Sequence, residues 1–175
     1  MNKTIIYFTG VYDTLDLFTE ELRGAFEDMG YLSFVYDANH KEESKEALLA
    51  QIEAYLEDTG KSPCEAGEGF AGIAFNNLGY NLDFAIRDTD ATTFEDGQAA
   101  RGFMGEQARA NIWEHYGILY LNILMDHPFH YEKPLRGAPD TSVVLCTDRN
   151  HVTYIRRFFK NIRQVDFLPH AGVEL

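Results

Sequence analysis

The chain of 175 residues carries 28 acidic against 15 basic side chains, a formal net charge of −13, with 45% apolar and 14% aromatic residues. That length suits one domain, and the apolar content is enough for a full core, which excludes global disorder. A uniformly acidic surface repels phosphates, so non-specific binding to nucleic acid or to anionic membrane is set aside.

Ile5-Ile6-Tyr7-Phe8 is a short β-branched and aromatic run that predicts a first strand. Thr9-Gly10-Val11-Tyr12 turns the chain, and Asp13 or Thr14 is placed to cap a helix. Leu15, Phe18, Leu22, Ala25, Phe26 and Met29 then recur at helical spacing, with Gly30 as the stop. Residues 31–36 read as a second strand, so the chain begins β-α-β, a crossover that implies parallel pairing. Lys41 to Asp58 is an amphipathic helix with Leu48, Leu49, Ile52, Tyr55 and Leu56 on one face; its charged start is a solvated surface. Residues 60–69 are a loop.

Phe70 to Phe75 predicts a third strand, ending in Asn76-Asn77-Leu78-Gly79. Residues 82–103 have no clear period and predict an insertion at the sheet edge, followed by a helix from Met104 to Tyr116 with Met104, Ala108, Ile112 and Trp113 inward. The continuous apolar run 118–125 predicts a strand buried on both faces. It ends abruptly in Asp126-His127-Pro128-Phe129-His130. A loop over 131–141, a fifth strand over 142–146 and a helix capped by Thr147 or Asp148 follow. That helix points Val152, Ile155, Phe158 and Phe159 inward. A short strand over 165–168 leads into Pro169-His170-Ala171-Gly172. Cys146 is expected as a core thiol and Cys64 as a loop residue, with no disulfide framework. No signal-like segment and no stretch approaching ~20 apolar residues is present, which predicts a cytoplasmic protein without a membrane span.

The pattern as a whole predicts a single domain over 1–175: a Rossmann-like three-layer α/β/α sandwich with six mostly parallel strands in the order 3-2-1-4-5-6. In such sheets ligands bind at the carboxyl ends of the strands. The polar residues collect there: Thr9 and Gly10 after the first strand, Asn76 and Asn77 after the third, Asp126, His127 and His130 after the fourth, Asp148 and His151 after the fifth, and His170 after the sixth. His127, oriented by Asp126, is the candidate general base. The others are candidate ligand-binding residues. The first turn, Thr-Gly-Val-Tyr-Asp-Thr, lacks the Gly-x-Gly-x-x-Gly dinucleotide signature, and there is no Walker sequence, no Gly-x-Ser-x-Gly elbow and no Cys-x-x-Cys. Pro128 opposes a helical two-histidine metal site at His127 and His130, and no metal is expected.

Several strings taken together carry a resemblance. Phe75-Asn76-Asn77-Leu78-Gly79, Asn111-Ile112-Trp113-Glu114, Ile123-Leu124-Met125-Asp126-His127-Pro128, Cys146 to Ile155 and Phe167-Leu168-Pro169-His170-Ala171-Gly172 are similar to the N-terminal domain of spore-maturation-type (CgeB-like) glycosyltransferases. The likeness is strongest from about residue 70 onward. It implies a GT-B architecture, two Rossmann-like domains facing a cleft. The N-terminal one supplies contacts to a small-molecule or glycan acceptor; the C-terminal one binds the nucleotide-sugar donor. On that likeness the chain is the acceptor-side half, catalytically incomplete without a donor-binding partner domain and holding no cofactor of its own. Two other expectations stand beside it: a flavodoxin-like or receiver-like binding or regulatory module, and a small metal-dependent hydrolase built on His127, His130 and Asp148.

Overall fold

The computed structural model describes residues 3–83 and 111–169. Among them, six strands form one all-parallel sheet: β1 (Thr4–Thr9), β2 (Leu32–Asp37), β3 (Phe70–Phe75), β4 (Leu119–Leu124), β5 (Ser142–Cys146) and β6 (Gln164–Phe167). The helices between them are α1 (Asp13–Asp28), α2 (Lys41–Thr59), the single turn α3 (Ile112–His115), α4 (Glu132–Arg136) and α5 (Arg149–Phe158). The Rossmann-like α/β class expected from the sequence is present.

The strand order is 2-1-3-4-5-6, not 3-2-1-4-5-6. The cause lies in which face each helix covers. Leu15, Leu22 and Phe26 of α1 pack with Ile5, Tyr7, Ile73 and Phe75 on one face. Leu48 and Ile52 of α2 pack with Ile6, Phe8, Phe70 and Ala74 on the other. Successive right-handed crossovers on opposite faces must run in opposite directions, so α2 carries the chain from β2 back past β1 and β3 lands on the other side of β1. Burial agrees. Every residue of β3 is buried, as an interior strand requires, whereas Leu32 and Val35 of β2 are exposed, as an edge strand allows.

Register locates the opening in the sheet. β1 pairs with β2 over its whole length, from Thr4↔Leu32 to Thr9↔Asp37, and β3 with β4 as far as Phe75↔Ile123. Between β1 and β3 the pairing stops at Ile6↔Gly72. The two strands diverge over their carboxyl halves, at the point where the direction of winding reverses. That is the crevice in which doubly wound sheets bind ligands.

Several local expectations change. α1 starts one residue after Tyr12 with no side-chain cap; Asp13 is its first helical residue. Met29 caps its end and is 69% exposed, and Ala25 and Phe18 also face solvent. The loop at 60–69 contains a 3-10 segment, Pro63–Glu68, closed by a capping box between Ser62 and Glu65. Of the predicted helix 104–116 only α3 falls within the described residues; Ile112 and Trp113 are fully buried, and Met104 and Ala108 lie outside them, as does most of the predicted insertion at 82–103. The 131–141 loop is partly helical, with a 3-10 turn, Pro128–Tyr131, running into α4. Asp148 is the N-cap of α5, accepting from the Asn150 amide at 2.6 Å. Phe159 is buried, one turn beyond Ile155 on the stripe it shares with Val152, but Phe158 lies off that stripe and is exposed. Among the described residues no helix is long and apolar enough to cross a membrane.

Candidate functional site

An open cleft of about 400 Å³ lies over the carboxyl ends of β3 and β4, on the side of the sheet covered by α1. The first turns of α1 supply one wall, with Tyr12, Thr14, Leu15 and Phe18. Asn76, Met125, Asp126 and Tyr131 supply the other. Phe18 is 40% exposed, yet its ring is seated against Phe75 with centroids 6.0 Å apart, so it is presented in a defined place. Tyr12, 64% exposed, stands at the rim.

The polar end of the cleft is built on a strained turn. Asn76 and Asn77 both have positive φ, 49° and 64°. Among non-glycine residues asparagine tolerates this region best, through local bonding of its side chain. Here each amide is locked to β4. The Asn76 backbone N–H donates to the Ile123 carbonyl (3.0 Å), and its side-chain Oδ1 accepts from the Met125 N–H (2.9 Å). That leaves Nδ2 directed at Asp126, where it donates to Oδ2 at 2.9 Å. Tyr131 donates its hydroxyl to the same oxygen at 3.0 Å. Burial and the Asp126 carboxylate push the Tyr131 phenol up to about 12, so it stays protonated as the donor. Oδ1 of Asp126, on an exposed side chain, has no hydrogen-bond partner among the described residues.

Beneath this, Asn122 interrupts β4 with a fully buried amide. Its Oδ1 accepts from the Asn77 backbone N–H (2.8 Å) and its Nδ2 donates to Asn77 Oδ1 (2.9 Å). This bidentate pair holds Asn77 in its left-handed conformation and thereby sets the direction of Asn76.

His127 is not oriented by Asp126. Its Nδ1 accepts from the Phe129 backbone N–H at 3.1 Å, and its ring meets His151 edge-on at 4.7 Å and Tyr154 at 5.5 Å. With Nδ1 serving as acceptor, the neutral ring carries its proton on Nε2. In that tautomer its outward nitrogen is a donor, and Asp126 does not orient it. His151 is held below the ordinary histidine range, first by burial and then by His127, with Asp148 acting the other way. Its Nδ1 is buried without a partner among the described residues.

The remaining candidates fall elsewhere. Thr9 contributes its carbonyl to the Ala38 N–H (2.9 Å). Gly10 lies at φ +83°, where a Cβ would run into the side chains of Asp37 and Asn39, and its N–H donates to both carboxylate oxygens of Asp16 (3.1 and 3.0 Å). Both serve the packing of the β1 and β2 ends. His130 is exposed on the 3-10 turn, with its backbone N–H bonded to the His127 carbonyl. Asp148 is occupied as a helix cap, and His170 lies outside the described residues. Among the described residues no three His, Cys, Asp or Glu side chains come together as a metal-ligating group, and His127 meets His151, not Asp148 or His130.

Sequence reading missed Tyr131, Phe18 and Asn122. Only Asn122 left a trace, as the lone polar residue inside the apolar run 118–125. The chain matches no family model, and comparison with curated proteins finds no match.

Proposed function

We propose that this domain binds a glycan or other polyhydroxylated acceptor in the cleft between α1 and the Asn76–Asp126–Tyr131 cluster, as the acceptor-side half of a GT-B glycosyltransferase. The observation that carries the proposal is the pairing of exposed aromatic walls, Tyr12 and Phe18, with a fixed planar amide and carboxylate at the carboxyl edge of the sheet. A sugar ring presents C–H faces that pack on aromatic surfaces, and hydroxyls that donate to carboxylates and bridge amides. Apolar walls with a few convergent polar groups are the usual composition of a small-molecule site. The sequence resemblance points to the same half of the reaction. In this role Asp126 and Asn76 orient the acceptor, and the nucleotide-sugar donor is held by the opposing domain that GT-B enzymes use.

Saturation-transfer NMR of the domain with a panel of glycosides, and with nucleotide sugars in parallel, tests this. The expected result is sugar contact that is lost in Asp126→Ala and weakened in Tyr12→Ala, with no nucleotide-sugar contact at the cleft. Nucleotide-sugar binding in this cleft, or glycosides that leave Asn76 and Tyr131 unperturbed, would overturn the proposal.

The order 2-1-3-4-5-6 favours a second reading, because it continues the flavodoxin-like order 2-1-3-4-5. A binding or regulatory module of that class remains the alternative. Its receiver-like version is opposed by Thr9-Gly10 and Asn76 at strand ends where a magnesium-dependent phosphoacceptor site needs carboxylates. Labelling by acetyl phosphate would revive it.

A further inference from the structure

We propose that the ligand of the α1–Asp126 cleft carries a protonated amine, and that Asp126 is its counter-ion; this rests on the glycan-acceptor reading for the ring that bears the amine.

The charge balance of the cleft is the starting point. Both neighbours of Asp126 are neutral donors, Asn76 Nδ2 and the Tyr131 hydroxyl, and both bond one oxygen. They fix the carboxylate in place without cancelling its charge, and Oδ1 is left over. Among the described residues no lysine, arginine or histidine lines the cleft. The arginines of the described helices are committed elsewhere: Arg23 to Glu20 and Glu27, Arg136 to Glu132, Arg149 over the Phe167 ring at 4.2 Å, Arg156 to the Val165 carbonyl and Asp166, and Arg157 over the Phe158 ring. The positive end of α1 is nearby, but Asp13 and Asp16 stand in its first turn, and Asp16 is closed onto the Gly10 N–H. Among the described residues, therefore, the Asp126 carboxylate is held by neutral donors alone and no cation compensates it in the cleft.

The walls suit the same ligand. Aromatic rings present a negative face that attracts ammonium groups, and three of the lining residues, Tyr12, Phe18 and Tyr131, are aromatic. The overall charge of −13 draws cations toward the surface and repels anions. A carboxylate also accepts from a neutral hydroxyl, but that leaves its charge uncompensated. A phosphate, sulfate or uronate is repelled. The cleft thus ranks ligands as ammonium above neutral above anionic, which for a sugar means an amino sugar with a free amine.

Calorimetric titration of the chain at mildly acidic pH with methyl glucosaminide and methyl glucoside tests this directly, because the two differ only by an ammonium in place of a hydroxyl. The amine is expected to bind about tenfold tighter. The preference should shrink with added salt and vanish in Asp126→Asn, which keeps the shape and an acceptor oxygen. Equal binding of the two glycosides overturns the counter-ion assignment while the glycan reading stands. Cyclohexylamine binding as tightly as the glucosaminide retires the glycan reading and keeps the counter-ion. Binding of none of the three overturns both. The comparison of ligands on the unaltered chain decides the matter even if Asp126→Asn folds poorly.

Discussion

Replacing Asn122 by alanine tests whether the buried amide pair is what holds the cleft in shape. Asn122 is fully buried in the middle of β4, and the substitution removes the 2.8 Å bond to the Asn77 N–H and the 2.9 Å bond to Asn77 Oδ1. Neither Asn77 group gains a substitute, because Asn77 is itself 5% exposed and its Nδ2 already lacks a partner among the described residues. A buried polar group left unpaired costs about 1–3 kcal/mol. Two such groups, partly relieved by water entering the space vacated by the amide, give an expected loss of about 3 kcal/mol. That is a large share of the ~5–15 kcal/mol typical of a domain, yet it leaves the fold populated. Urea unfolding measured by circular dichroism should show a lower midpoint at unchanged slope. Because Asn77 at φ 64° is released, amide resonances of Asn76, Met125 and Asp126 should shift while those of β5 stay in place. A double-mutant cycle with Asn77→Gly isolates the side-chain pair, for which a coupling of about 1 kcal/mol is expected. A loss below about 0.5 kcal/mol for Asn122→Ala, or unmoved Asn76 and Asp126 resonances, would refute the reasoning.

Gly72→Ala should destabilise by about 1–3 kcal/mol, since its Cβ would sit 2.6 Å from the buried Trp113 ring; a lowered melting temperature with altered tryptophan fluorescence checks it. Neutral His127 should show the Nε2–H tautomer in nitrogen-15 NMR, and a dominant Nδ1–H form would contradict the Phe129 amide bond. His40 is raised by its 2.8 Å bond to Asp37, whereas His151 is lowered chiefly by burial. His40 therefore contributes stability that is present below its unfolded-state value and lost as pH rises through its folded one. His151 contributes stability that is present above its unfolded-state value and lost as pH falls through its folded one. Histidine titrations by NMR should place the two on opposite sides of the ordinary value near 6.5, with His40→Gln and His151→Gln each flattening its own limb of the stability profile. Cys146, pushed up to about 12 by burial, should resist alkylation under conditions that modify the exposed Cys64.

The sequence by itself determined the elements and the edge on which to look. Apolar runs such as Phe70–Phe75 and 118–125 are legible because a strand buried on both faces needs no polar alternation. The crossover helices follow from the period of Leu48, Ile52, Val152 and Ile155, all of which are buried. Asn76 and Asp126 were found because polar residues at strand ends stand out from the runs they close. What the tertiary structure alone decided is the neighbourhood. Helical period says that α1 and α2 each bury a face, but not which side of the sheet each takes, and that choice sets the order 2-1-3 and the position of the crevice. Phe18 looks like core at helical spacing, yet it stands 40% exposed against Phe75 as a cleft wall. Tyr131 finds Asp126, and Asn122 finds Asn77 across 45 residues, through contacts that no local pattern encodes. The tautomer of His127 is decided by one backbone amide two residues away, a bond that exists only in the folded turn.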